Sequence, residues 1–161
     1  MNKAQTISTT ASDPTVAAAA AQFLSPVVLG LQALTVNGKQ AHWHVRGANF
    51  IGVHELLDSV VAHAGAFADT AAERIVALGL PIDARLSTVA AKVAASAVPA
   101  GFTQSTELIR NIVADIDAIL VDTKAAIDGL DEIDLTSQDV AIEIMRGLEK
   151  DRWFLVAHVA E

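Results

Sequence analysis

Apolar residues recur at three- and four-residue spacing along most of the chain, and a strand-like alternation is nowhere sustained. This period predicts helices. Asp13-Pro14 has the N-cap-then-proline pattern of a helix start, and Ser25-Pro26 repeats it, so we expect a short first helix or a kink near residue 25. The main first helix then continues to about Val45.

A second long helix follows the turn at residues 47–49, with Asn49 as its expected N-cap. No proline interrupts it before Pro81. Residues 82–101 are too long for a tight turn, and their middle, residues 86–95, predicts a short helix.

Two more long helices complete the chain. Thr103 is the expected N-cap of the third, which Gly129 ends, and Thr136 with Asp139 caps the fourth. Four long helices with a long crossover between the second and third predict an all-α, ferritin-like four-helix bundle. We expect a single domain over residues 13–161, preceded by a mobile polar tail at residues 1–12.

Composition narrows the class of protein. Hydrophobic residues make up 52% of the 161 residues, which fits burial in an oligomer as well as in a core. No run of 18 uninterrupted apolar residues occurs, so we expect no membrane span. The absence of cysteine excludes disulfides and thiolate metal sites. The net charge of −8 disfavours general affinity for nucleic acid, and the lack of a signal peptide pattern predicts a cytoplasmic protein.

Four side chains of metal-ligand type share one face of the predicted second helix. His54, Asp58, Asp69 and Glu73 lie at about 0°, 40°, 60° and 100° on a helical wheel. Asp58 and Asp69 are separated by about 16 Å along the axis, whereas metal–ligand bonds are about 2 Å long. The helix therefore carries two half-sites, and each needs ligands from elsewhere. Nitrogen and oxygen ligands without sulfur suit iron, manganese or zinc.

The two half-sites lie symmetrically about residues 63–64, with the small residues Ala62 and Gly65 near the centre. Antiparallel pairing of this helix with its copy would bring the half-site at residues 54 and 58 onto the partner's half-site at residues 69 and 73. An isologous two-fold contact would then complete two sites at once.

Motifs spread over residues 28–160 carry a family signature. They are Gln40-Ala41-His42-Trp43, Arg46-Gly47-Ala48-Asn49-Phe50, Val53-His54-Glu55, Asp58, Asp69, Ala72-Glu73-Arg74, Leu148-Glu149-Lys150 and Trp153-Phe154. Together they resemble the Dps family of miniferritins. The resemblance implies a hollow dodecamer that oxidises Fe(II), preferentially with hydrogen peroxide, and stores the ferric mineral. It also implies a ferroxidase centre between two-fold-related subunits, with these ligands: His42, His54 and Asp58 from one subunit, Asp69 and Glu73 from its partner.

Other residues have two interpretations. Trp43 is expected to pack in the core, although it is the best candidate for an electron donor to iron because the chain has no tyrosine. A group of acids surrounds the turn between the third and fourth helices: Asp128, Asp131, Glu132, Asp134 and Asp139. They are either ordinary loop and helix-start acids or, as the resemblance implies, part of a channel that draws in Fe(II). His63 lies about 180° from His54 and is expected to be structural.

Two other functions stay open. The first is a nucleoid-binding structural protein, but DNA-binding members of the family commonly carry several lysines in a terminal extension. Here Lys3 is the single lysine of the N-terminal tail, so we expect little or no DNA binding. The second is a metal-dependent amide hydrolase that uses the same histidine and carboxylate site, in which a metal-held water attacks a carbonyl.

Overall fold

Four long helices and one short helix make up the computed structural model, which describes residues 13–159. The helices in this range are α1 (Pro14–His44), α2 (Phe50–Ala77), α3 (Leu86–Lys92), α4 (Ser105–Leu130) and α5 (Leu135–Ala157). Two short strands, β1 (Val45–Arg46) and β2 (Thr103–Gln104), pair in parallel. The all-α bundle with a short helix in the second-to-third crossover is therefore confirmed. The predicted tail at residues 1–12 lies outside the described range.

The first helix is continuous, so the short first helix expected before Pro26 is wrong. Asp13 is the N-cap, as predicted, and its side chain accepts a hydrogen bond from the backbone N–H of Thr15. Pro26 lies inside the helix on an exposed face, and Leu24 and Val27 beside it are completely buried. Tertiary packing of these neighbours outweighs the one backbone hydrogen bond that proline removes.

Several predicted helix boundaries are also wrong. Thr103 belongs to β2, where its hydroxyl donates to the Gly101 carbonyl, and Gln104 is the N-cap of α4. Thr136 lies inside α5, whose N-cap is Asp134. Gly129 does not end α4 but admits the Phe23 ring of α1, since a Cβ at this glycine would lie 2.3 Å from the ring.

A single hydrophobic core joins the four long helices. Its largest completely buried side chains come from all four: Leu24, Leu31, Leu34, Leu57, Ile75, Leu108, Ile109, Ile112, Ile116, Leu130, Ile144 and Leu148. By length and composition alone, α1 could also cross a membrane, with a mean hydropathy of 1.5. This is weak support for a membrane span, because the core helix of a bundle has the same features.

The β1–β2 pair fixes the turn between α1 and α2 to the start of α4. Val45 pairs with Thr103, and the Arg46 guanidinium lies 3.4 Å from the centre of the Phe102 ring. Asn49 ends the turn with a left-handed φ of 62° and occupies the N-cap position, although its side chain caps no backbone N–H. The turn holds the end of α1 against the start of α2, where the two predicted histidine ligands lie.

Candidate metal centre

His42 and His54 face each other across the α1–α2 turn. Their rings stack with centroids 3.7 Å apart and an angle of 22° between the planes. Nδ1 of His42 lies 2.9 Å from the His54 carbonyl oxygen, and Nδ1 of His54 lies 3.0 Å from the His42 carbonyl oxygen. Because a carbonyl oxygen only accepts, each Nδ1 must carry the proton and donate it. Each Nε2 then keeps the lone pair that binds a metal ion.

Asp58 lies one helical turn beyond His54 and is about half exposed. Its Oδ1 is 3.9 Å from Nδ1 of His42, and it forms an ion pair with Lys39 of α1. The hydrogen bond from the Lys39 ammonium lowers the pKa of the Asp58 carboxyl, and this group is therefore charged at neutral pH. A metal ion that binds Asp58 must compete with Lys39, a residue that the sequence analysis did not single out. Lys39 could have been predicted from its position three residues before His42, because residues three apart are neighbours on the surface of a helix.

Asp69 and Glu73 lie about three and four turns beyond Asp58 along α2 and are exposed. Within residues 13–159, neither forms a hydrogen bond or an ion pair with another side chain. The same range contains no group of three or more His, Asp and Glu side chains placed to hold a metal ion. One chain therefore presents two separate, incomplete half-sites, and the predicted ligand set stays a prediction.

The five acids near the α4–α5 turn are not equivalent. Asp134 is mostly buried and forms an ion pair with Arg74 at 2.7 Å, and exposed Asp128 pairs with Lys124. Asp131 accepts a hydrogen bond from Gln138 at 3.3 Å. The remaining two, Glu132 and Asp139, are exposed. Asp134 is thus the one acid of the five whose ion-pair partner, Arg74, is itself largely buried.

The expectation that Trp43 packs in the core of its own chain is wrong, because the residue is 63% exposed. It follows His42 on α1 and points away from the buried face. His63 contacts α5, where its Nδ1 lies 3.0 Å from both carboxylate oxygens of buried Asp151. That contact gives His63 the interhelical, structural position expected of it.

Comparison with known proteins places the chain in a family. A family model described as a ferritin-like domain matches residues 30–161. The structure is similar to that of Dps from Microbacterium arborescens in its high iron form, with a TM-score of 0.92 and 74% sequence identity over 94% of this chain and 99% of that one. The chain belongs to the Dps family. The ferritin-like fold predicted from the sequence is therefore confirmed.

Other Dps proteins are more distant. The DNA protection during starvation protein of Agrobacterium fabrum is 36% identical over 124 residues, which cover 76% of each chain. A tetragonal form of Mycobacterium smegmatis Dps is 28% identical, with a TM-score of 0.87, and the match covers 97% of this chain and 96% of that one. At the general level, this Dps chain is an iron-storing miniferritin that forms homo-oligomers.

Proposed function

We propose that this Dps protein is a ferroxidase that oxidises Fe(II), preferentially with hydrogen peroxide, and stores the ferric product inside a dodecameric shell. The observation that carries the proposal is the reciprocal bonding of His42 and His54. Each Nδ1 lies 2.9 or 3.0 Å from a backbone carbonyl oxygen, which fixes the tautomer of the neutral rings and leaves both Nε2 lone pairs available to a metal ion. An ordinary surface histidine has no such fixed tautomer.

The site is completed by a second copy of the chain. His42, His54 and Asp58 form the half-site at one end of α2, and Asp69 and Glu73 form the half-site at the other. The two half-sites are too far apart to share an ion within one chain, and both acids of the second are exposed and free of partners within the described residues. A two-fold contact between α2 helices would join unlike half-sites.

The electron balance favours two iron ions at one site. Hydrogen peroxide takes up two electrons and two protons to become two water molecules, and each Fe(II) supplies one electron. Two Fe(II) ions held together can therefore reduce one peroxide without releasing hydroxyl radical. Hydrolysis of the products then gives 2 Fe(II) + H₂O₂ + 2 H₂O → 2 FeO(OH) + 4 H⁺. The carboxylates and imidazoles hold the substrate ions close together, which is a positioning effect.

Protection of DNA follows from the same chemistry. Relatives of this chain are named DNA protection during starvation proteins. We propose that this protein protects cytoplasmic DNA by consuming Fe(II) and peroxide rather than by contacting it. The net charge of −8 opposes the phosphate contacts on which DNA affinity depends.

Substitution of Asp58 tests the proposal. We expect Asp58→Ala to assemble normally but to lose nearly all peroxide-driven Fe(II) oxidation, because the first half-site then has no carboxylate. Asp83→Ala is the matched control, since Asp83 is also an exposed aspartate in an ion pair with a basic residue, Arg85. Stopped-flow absorbance after anaerobic Fe(II) loading measures both rates. An assembled Asp58→Ala protein with the wild-type rate would refute the assignment.

A further inference from the structure

Arg74 joins the last turns of α2 to the beginning of α5. Its Nε donates to Ser137 Oγ at 2.9 Å, and its Nη2 donates to Asp134 Oδ2 at 2.7 Å. Ser137 Oγ in turn donates to the same Asp134 oxygen at 2.5 Å. The three side chains thus close a ring of hydrogen bonds, with both partners of Arg74 on α5 or its N-cap.

The network is shielded from water. The Arg74 and Asp134 side chains are 22% and 13% exposed, and Ser137 is completely buried. An exposed ion pair adds little to stability and fixes little geometry, because two long side chains move freely in water. A planar guanidinium that donates from two nitrogens inside a packed setting has one orientation instead.

Arg74 is also the immediate neighbour of Glu73 and lies five residues after Asp69. Both acids are exposed and have no partner within residues 13–159, so no contact of their own holds them in place. The hydroxyl of Thr70, which lies between them, donates to the Ala66 carbonyl of its own helix. Among the side chains described over residues 69–77, Arg74 makes hydrogen bonds that connect α2 to the start of α5.

We propose that Arg74 is a positioning residue for the shared iron site. Through its bonds to Asp134 and Ser137, it fixes the orientation of the end of α2 that carries Asp69 and Glu73, so that this half-site meets the partner's histidine half-site. This inference rests on the proposed function, because it concerns the same shared site. Arg74 does not touch the substrate. Its guanidinium points into the α2–α5 contact, about 100° around the helix from Glu73.

Loss of this connection acts on metal affinity rather than on the electron-transfer step. Removal of a partner that is hydrogen-bonded to a metal ligand typically costs 10- to 100-fold in affinity, and Arg74, which acts without touching the ligands, is expected at the lower end of that range. We expect Arg74→Ala to raise the KM for Fe(II) about tenfold and to leave kcat within about twofold. Arg74→Lys keeps the charge but cannot donate from two planar nitrogens, so it should restore only part of the affinity.

A test in mixed assemblies separates positioning from general stability. The first parent variant carries His54→Ala and Asp58→Ala and supplies only the Asp69/Glu73 half-site. The second carries Asp69→Ala and Glu73→Ala and supplies only the histidine half-site. A mixed dimer of the two has one complete site. Arg74→Ala is then added either to the first parent or to the second.

Arg74→Ala lowers the stability of either parent by the same amount, but only on the first parent does it affect the restored metal site. On the first parent, Arg74→Ala should raise the Fe(II) KM of the restored site about tenfold, and anaerobic titration with Co(II) should show the same loss of affinity. On the second parent, whose own Asp69 and Glu73 are already absent, it should change neither. Arg85→Ala on the first parent is the control for an arginine removed from another ion pair.

Equal effects in both placements, or no effect in either, would overturn the positioning role. If Arg74→Ala prevents assembly, Asp134→Asn, which keeps the side-chain size, replaces it with the same expected asymmetry. Absence of recovered activity in mixed dimers without any change at Arg74 would contradict the shared site itself. That outcome is visible before Arg74 is substituted, so the two failures can be told apart.

Discussion

Gly38 controls how closely α1 approaches α2 beside the candidate site. It is buried one turn before His42, and a Cβ added to it would lie 2.7 Å from Cγ2 of Val61. Carbon atoms in contact are about 3.5–4.0 Å apart, so Gly38→Ala requires a shift of about 1 Å. Val61 is nearly buried and β-branched, and it cannot rotate away cheaply.

Two effects of opposite sign set the magnitude. Overpacking of a core costs about 1–3 kcal/mol, whereas replacement of glycine by alanine inside a helix stabilises by about 1 kcal/mol. We expect a net loss of about 1 kcal/mol for Gly38→Ala alone. In a Val61→Ala background the clash is absent, so the same substitution should stabilise by about 1 kcal/mol. The coupling energy between the two positions is then about 2 kcal/mol.

The separation of the helices also affects the histidines. A shift of about 1 Å stretches the reciprocal bonds between His42 and His54 from 2.9 and 3.0 Å beyond hydrogen-bonding range. Gly38→Ala should therefore bind Fe(II) more weakly under anaerobic conditions, and the double variant should recover. Urea unfolding at a fixed protein concentration gives the coupling, and Fe(II) titration gives the affinity. Additive effects, with Gly38→Ala equally destabilising in both backgrounds, would refute the packing argument.

Two further predictions concern DNA and acid. At low salt near pH 7, the protein should give little or no retardation of DNA in a gel shift, and a clear shift that is lost on deletion of residues 1–12 would contradict the expectation for the tail. Desolvation acts to raise the pKa of Asp134, but hydrogen bonds from Ser137 and Arg74 hold this pKa below its usual value. Ionised Asp134 therefore stabilises the fold at pH values above its unfolded pKa of about 3.9. This stabilisation is lost as pH falls through the folded pKa. The stability difference between wild type and Asp134→Asn should shrink in urea titrations as pH falls below about 3.9, whereas a constant difference from pH 7 to 3 would contradict this.

The bundle could be predicted from the sequence because its signals are local. The helical period, the Asp13 cap and the turn at residues 47–49 each depend on neighbouring residues. Continuity through Pro26 depends instead on what packs against Leu24 and Val27, which the sequence does not state. The same is true of Gly129, whose role is to admit Phe23 rather than to end a helix.

The candidate site was predictable only in part. The four α2 side chains share a face because of helical geometry alone. The bonds that fix the histidine tautomers use backbone carbonyls across the turn, and side-chain patterns do not reveal them. Contacts between distant residues were also missed, because no period links partners that lie 60 positions apart, as Arg74 and Asp134 do, or 88 apart, as His63 and Asp151 do.

The most direct test of the shared site is recovery of activity in mixed dimers of the two half-site variants. Each parent, His54→Ala with Asp58→Ala or Asp69→Ala with Glu73→Ala, should be inactive alone. With random pairing about half of the dimers are mixed, and each restores one of its two sites, so roughly a quarter of the wild-type rate of Fe(II) oxidation should return. A site built within one subunit gains nothing from mixing. No recovery in a preparation shown by mass measurement to contain mixed dimers would contradict the account.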